Sequence, residues 1–436
     1  MAQLRVGAGS VDITPLLGGL MSGSMTQRRS EDVGYPLQAK ALVFDEGDTQ
    51  VAYVQNDLLF VTRERFDQAK ARAEELTGIP AGNIMMSATH THYGPPVAHL
   101  FMQPVDEEYA QWAVPRMGDA VKLAQNRLQP AVIGHTSGFC PEETHNRRWW
   151  MRDGQVRMNP PRGGDELVRP AGPTDPEVGL LVAETPDGEP IAAIANYSLH
   201  YVGGGRPGEI SADYFAAFAE ALQRMAGGEF VAIMANGCCG DTNNIDFTRP
   251  AEPPPSPQYH RVRVGNALAA ECWKAWRQLR ERQAEEVTVA AASEYPIFRR
   301  RTLAEEQERV VAGGVNAIEQ VHQSRQELYA QERQEVETLP VEQETQVQAM
   351  RIGDVGMVGI PGETFVEYGL AIKRSSPFAR TMTVELANDY LGYLPTDHAL
   401  DQGGYETWLA ISARAAKGTE ETMVQAALRA LRSVRE

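Results

Sequence analysis

Asn83-Ile84-Met85-Met86-Ser87-Ala88-Thr89-His90-Thr91-His92-Tyr93-Gly94-Pro95 is an apolar run that ends in small polar residues and then Gly-Pro. Such a run reads as a buried strand emptying into a loop, where side chains can converge on a cavity. His90 and His92 stand at i and i+2. In extended chain they point to one face, so both imidazoles reach one metal, or one binds metal while the other handles protons. The same layout recurs four times. Ile191 to Asn196 leads through Tyr197-Ser198-Leu199 to His200, and Phe230 to Ala235 leads to Asn236-Gly237-Cys238-Cys239-Gly240-Asp241-Thr242-Asn243. Val355 to Ile360 leads to Pro361-Gly362-Glu363-Thr364-Phe365, and Thr381 to Leu386 leads to Asn388-Asp389-Tyr390-Leu391-Gly392-Tyr393. Five strands with apolar bodies and polar tips predict a ligand site where strand ends meet.

Three turn clusters between apolar runs, Glu46-Gly47-Asp48, Pro186-Asp187-Gly188 and Gly353-Asp354, signal hairpins and hence antiparallel pairs. Helical patterns lie between them: Arg63 to Thr77, Asp106 to Leu128, Ala212 to Met225, Tyr259 to Arg282 and Glu420 to Val434. Strands interleaved with helices make the chain α/β or α+β with mixed sheets. Pro115 is expected to break or kink the second helix. Pro250 to Pro257 reads as an extended loop. Leu303 to Thr338, rich in Glu, Gln and Arg and interrupted by Gly313-Gly314, reads as a solvated helical excursion. With no internal repeat and no clear linker in the sequence, residues 1–436 are expected to form one catalytic domain.

Composition narrows the function. Of 436 residues, 41 are Lys or Arg and 58 are Asp or Glu, a formal charge of −17. Phosphate contacts need a basic face, and the only cluster is the short run Arg299 to Arg301, so nucleic acid is excluded as a partner. No segment reaches membrane-spanning length, so stable membrane insertion is not expected. Met1 to Val6 opens no apolar stretch of signal-peptide length, which points to the cytoplasm. Cys140, Cys238, Cys239 and Cys272 are too few to staple so long a chain and suit a reducing compartment. The pair Cys238-Cys239 reads as small buried residues after a strand, with thiol chemistry or metal binding as the alternative. A homo-oligomer remains open.

Two histidines and a carboxylate on three strand ends suit zinc, which accepts imidazole and carboxylate in catalytic sites and leaves a position for water. The plainer alternative makes His200 a hydrogen-bonded core histidine and Glu363 a helix-capping carboxylate. Asp241 either orients a ligand histidine or caps the following turn.

The sequence resembles the neutral ceramidase family, zinc-dependent amidases that cleave the N-acyl bond of ceramide. The resemblance rests on short blocks spread over most of the chain: Gly9 to Pro15, Ser87 to Pro95, Asn146-Arg147, His200, Asn236 to Asn243, Pro361-Gly362-Glu363 and Tyr393 to Tyr405. It implies an α/β fold with two mixed sheets flanked by helices. It also implies zinc held by His90, His200, Glu363 and Tyr393, with His92, Arg147 and Tyr405 as the other active-site residues. Tyr390 competes with Tyr393 as the ligand, and Arg148 competes with Arg147. In the mechanism so implied, zinc activates water, His92 shuttles its proton to the leaving amine, and Arg147 and Tyr405 donate to the oxyanion.

The chain departs from the family in several places. It is expected to lack the C-terminal immunoglobulin-like domain of full-length ceramidases. Tyr93-Gly94-Pro95-Pro96 replaces the usual Ser-Gly-Pro-Gly, and Tyr201-Val202-Gly203-Gly204 after His200 is also atypical. The expected activity is therefore ceramidase-like hydrolysis of a small-molecule N-acyl amide other than ceramide. A metal-dependent esterase or lactonase, or a non-catalytic metal-binding homologue, is the alternative.

Overall fold

The computed structural model describes residues 3–101, 103–228, 230–283, 287–313 and 323–436. Near the N-terminus, β1 (Arg5–Asp12), β2 (Gln38–Asp45), β3 (Gln50–Asn56) and β4 (Ile84–Ala88) lie in the order β4-β3-β2-β1, with the short pair-forming segment Gln129–Pro130 at the far edge. The turn at Glu46-Gly47-Asp48 joins β2 to β3 antiparallel. A parallel neighbour requires a crossover, which α1 (Arg63–Thr77) supplies before β4 pairs parallel with β3. α2 (Glu107–Asn126) then packs on α1, and Asp106 caps its start by accepting from Tyr109 N at 3.0 Å. Pro115 does not end this helix, which runs through it; only the hydrogen bond to the preceding turn is forgone.

The next stretch repeats this plan. β5 (Val132–Phe139), β6 (Glu177–Glu184), β7 (Pro190–Tyr197) and β8 (Val231–Asn236) lie in the order β8-β7-β6-β5. Pro186-Asp187-Gly188 turns the β6/β7 hairpin, α3 (Asp213–Ala226) crosses over to the parallel β8, and α4 (Tyr259–Arg277) packs on α3. A third unit follows: β9 (Val289–Glu294), β10 (Val347–Ile352), β11 (Val355–Gly359) and β12 (Arg380–Val384), in the order β12-β11-β10-β9. Inserted between β9 and β10 are α5 (Leu303–Gly313) and α6 (Gln323–Thr338). The Gly353-Asp354 turn closes its hairpin, α7 (Val366–Ser375) crosses over, and α8 (Thr419–Arg435) packs back on the sheet.

The fold is therefore mixed α/β, as expected, with two refinements. Hydrogen bonding separates three larger mixed sheets rather than the two implied by resemblance; a lone bridge from Ser87 to Ala387 joins the first to the third beside the strand tips. The absence of an internal repeat in the sequence does not extend to topology, because one hairpin-crossover unit occurs three times. Topology constrains only which positions are apolar and where turns fall, so repeats can share a plan without sharing residues.

Packing follows the same logic. Inner faces of all three sheets meet in one core, with Phe44 and Tyr53 from the first, Leu181 and Ile194 from the second, and Met350, Met357 and Val384 from the third. Each outer face is buried under its own helices. Truncating an aliphatic residue of this shared core to Ala costs about 2–5 kcal/mol.

The excursion at Leu303 to Thr338 is not the solvated arm expected. Arg309 donates to the carbonyl of Leu400 at 2.6 Å, Glu332 accepts from Ile411 N at 3.1 Å, and Tyr329 and Val336 are buried. Its polar side chains tie the helices to the short helix Asp397–Gln402 and the loop that follows it, so composition alone suggested exposure. Gly314 and the rest of 314–322 lie outside the described residues. No helix among the described residues is long and apolar enough to cross a membrane.

Candidate metal and active site

Strand ends from all three units meet in a cavity of about 540 Å³. The first unit contributes His90 and His92, but not by alternation along a strand. β4 stops at Ala88, and His90 takes a left-handed backbone conformation (φ 62°) that turns the chain. A non-glycine residue held there stores strain; here His90 N donates to the carbonyl of Leu58 and Nδ1 to that of Leu59, both at 2.9 Å. The turn brings His92 Nε2 within 3.2 Å of His90 Nε2. His92 Nδ1 bonds the carbonyl of Gly23 at 2.7 Å, a contact so close that a Cβ on Gly23 would overlap the imidazole.

The second unit delivers His200 beyond β7. Its Nδ1 lies 4.0 Å from Cys239 Sγ, and its Nε2 lies 3.8 Å from Glu363 Oε2. His90 and His92 are thus assigned their proton on the backbone-bonded Nδ1, which leaves Nε2 free to ligate. Ring nitrogens of His90, His92 and His200 lie within 4.8 Å of one another.

From the third unit, Glu363 follows β11. Its Oε2 is 3.2 Å from His90 Nε2, yet it has no aligned hydrogen bond despite full burial, whereas Oε1 accepts from Tyr390 Oη at 2.8 Å. Burial lowers the His90 pKa, but the Glu363 charge outweighs this and raises it; the reciprocal effect holds Glu363 below its usual value against burial. Burial, together with nearby positive charge, lowers His92 and His200 well below the ordinary imidazole range. Free imidazole nitrogens crowded around an unpartnered buried carboxylate oxygen form a donor set that fits a divalent cation.

Close backbone packing holds Glu363 in place. Gly240, after β8, donates to the carbonyl of Thr364 at 2.7 Å, and a Cβ there would stand 2.5 Å from Glu363 O. Glu385, just past β12, accepts from Cys239 N at 3.0 Å and Thr364 N at 3.1 Å, while Cys239 Sγ donates to it at 2.9 Å. Burial and Glu385 keep the Cys239 thiol well above its usual pKa, which removes the thiolate that thiol chemistry needs. His200, Cys239 and Glu385 form a second group with metal-ligand spacing among the described residues.

The paired alternatives from sequence resolve differently. Tyr390 donates to Glu363 Oε1 at 2.8 Å, whereas Tyr393 lines the same cavity and its Oη accepts from Arg147, so both phenols reach the site. Arg147 lines the cavity, donating from Nη2 to Tyr393 Oη at 3.1 Å and to the carbonyl of Gly240 at 2.7 Å; Arg148 points away, to the carbonyl of Gly403 at 2.9 Å. Glu406, fully buried, bridges them at 3.0 Å to Arg147 Nε and 2.9 Å to Arg148 Nη1. Tyr405 lines the cavity with its ring centroid 5.8 Å from that of Tyr393. Asp241 orients no histidine: it accepts from Val366 N at 2.9 Å, capping α7, and from Asn146 Nδ2 at 2.7 Å.

Two contributors were given no role from sequence. Tyr201 stacks on His92 with centroids 3.5 Å apart, and Glu406 pairs the two arginines; Tyr390, named only as a rival to Tyr393, bonds Glu363. Position beside His200 and Tyr405 was the available signal for Tyr201 and Glu406.

The fold is that of neutral ceramidase, and the chain is neutral ceramidase-like. A curated neutral ceramidase from Pseudomonas aeruginosa is 26% identical over 208 residues, which span 45% of this chain and 30% of that protein. The crystal structure of neutral ceramidase from Pseudomonas aeruginosa matches with a TM-score of 0.76 at 20% identity, covering 100% of this chain and 75% of that one. A ceramidase complexed with C2 matches with a TM-score of 0.76 at 18% identity, over 100% of this chain and 76% of the other. No protein-family model matches.

Proposed function

We propose that the protein is a zinc-dependent hydrolase that cleaves a carbon–nitrogen bond in a small N-acyl compound other than ceramide. The observation that carries this reading is the cluster of three imidazoles lining one cavity, two of them 3.2 and 3.8 Å from a buried Glu363 oxygen that has no aligned hydrogen bond. His90, His200, Glu363 and Tyr393 hold the metal. Bound zinc supplies a water acidified toward neutrality and a polarised carbonyl.

The chain's own groups do the rest. His92 Nε2 faces the cluster while its Nδ1 is tied to Gly23, so it can take a proton from the attacking water and pass it to the leaving nitrogen. Arg147, fixed by Glu406 and Gly240, and Tyr405 donate to the oxygen on which charge develops, each worth about 3–4 kcal/mol in the transition state. The relative's name, neutral ceramidase, supports an amide bond as the target. The same groups would cleave an ester, and paired amide and ester analogues of one acyl group separate the two. The test is hydrolysis of an N-acyl amide panel by zinc-loaded and chelator-stripped protein. Activity that ignores zinc, or is confined to esters, overturns the reading.

A further inference from the structure

The hydrolase reading leaves one wall of the cavity without a task. α6 brings Leu328 to that wall and is anchored by Tyr329, whose ring lies 6.1 Å from Phe101 and 5.7 Å from Trp408. Arg325 stands three residues before Leu328, on the same face of the helix, and also lines the cavity. The charged side chains of the lining are Arg147, Arg325 and Glu363. Glu363 belongs to the metal cluster, and Arg147 is ion-paired with Glu406 and bonded to Tyr393 and Gly240. Arg325 is exposed and forms no ion pair among the described residues.

In a chain of net charge −17, carboxylates are abundant, yet among the described residues none is set against this guanidinium. A planar fork of donors left unpaired beside a cavity matches a carboxylate in a bidentate contact and draws anions toward it. Apolar lining is also present, from Leu59, Phe60, Leu100, Phe101 and Leu328. A volume of about 540 Å³ falls in the range that encloses a drug-sized ligand.

We propose that the substrates are amides with one apolar acyl group and one carboxylate on the amine portion, N-acyl amino acids being the simplest. The acyl group packs on the apolar wall and Arg325 binds the carboxylate. This assignment rests on the hydrolase reading of the same site. In the reaction, water adds to the amide carbon and the carbon–nitrogen bond breaks. The acyl group leaves as a carboxylic acid, and the nitrogen takes a proton to leave as an amino acid.

The experiment compares an N-acyl glycine with the N-acyl ethanolamine of the same chain length, on the zinc-loaded full chain. Wild type is expected to favour the glycine conjugate in kcat/KM by about tenfold or more. Arg325→Gln should bring that ratio close to one, and Arg325→Glu should shift preference toward an N-acyl diamine. Calorimetric binding of the same pair to metal-stripped protein supplies a readout that needs no turnover. If neither amide is cleaved but the glycine conjugate binds more tightly in an Arg325-dependent way, the hydrolase reading fails and the anion site stands. Equal use of both amides by wild type, or a preference that survives Arg325→Gln in properly folded protein, overturns the assignment.

Discussion

Glu363→Gln tests the core of the proposed chemistry. Glu363 is the only acidic side chain among the described residues lining the cavity, and its Oε2, which has no aligned hydrogen bond, sits 3.2 Å from His90 Nε2 and 3.8 Å from His200 Nε2. Four-ligand zinc sites bind with about 10–16 kcal/mol, or roughly 2.5–4 kcal/mol per ligand. At about 1.4 kcal/mol per factor of ten, losing the carboxylate weakens zinc binding on the order of 10²–10³-fold. The amide is isosteric, so Tyr390 keeps an acceptor at Oε1 and the cavity keeps its shape. Zinc competition against a chromophoric chelator at neutral pH reads the affinity, and hydrolysis of an N-acyl amide over a zinc titration reads the activity. His92→Ala is the companion variant, expected to retain zinc and lose turnover. A Glu363→Gln protein that is metal-replete and fully active would refute the ligand assignment. A His92→Ala protein that loses zinc as Glu363→Gln does would transfer His92 from proton carrier to ligand.

Glu406→Gln strips the counter-charge from two buried guanidiniums and should cost about 3–5 kcal/mol, read as a lower urea midpoint at unchanged slope, with kcat falling while zinc stays bound. An unaltered midpoint would show that Arg147 and Arg148 do not depend on it. Burial and then the Asp241 charge raise Glu367 to about 8. The native state therefore holds a proton that the unfolded chain gives up from about 4.5 upward, and the stability this confers is lost as pH rises through that window to about 8. Glu367→Gln should raise the Tm above about pH 8 and have little effect below about pH 4.5, whereas an equal gain at both would contradict the assignment. Tyr201→Leu removes the ring stacked on His92, worth about 0.5–1.5 kcal/mol, so kcat should fall about two- to tenfold with zinc retained and Tyr201→Phe close to wild type.

Much of this was legible because apolar runs and turn residues are local signals. The three hairpin turns and the helix beginning at Arg63 fall where pattern placed them, and so do the polar tips that build the site. What could not be read was contact between segments far apart in sequence. The His90–His92 approach depends on a left-handed turn after β4, which the i, i+2 spacing attributed to a strand. Glu406 lies 259 and 258 residues from the arginines it bridges, so no local pattern marks it. The excursion of α5 and α6 misled because polar composition was equated with exposure, while Tyr329, Glu332 and Val336 are buried against the site's outer loop.

The threefold plan explains why the site could not be found in any one segment. Each unit ends its third strand and its crossover strand at the same end of the sheet, so the three inner faces, packed on one core, present their polar tips to a common space. No unit carries a complete donor set: the first supplies His90 and His92, the second His200, the third Glu363 with Tyr390 and Tyr393. A cation bound among them would add one more tie between three units that already share apolar contacts, the Ser87–Ala387 bridge and polar bonds such as those at Asp241, Glu385 and Glu406. Metal binding and the relative placement of the units are then one equilibrium, because ligands from separate units reach bonding distance only when all three sheets are docked. The same convergence leaves the wall formed by α6 outside the threefold plan. That insertion, which brings Arg325 and Leu328 to the cavity, is where substrate choice can diverge without disturbing the ligands beneath.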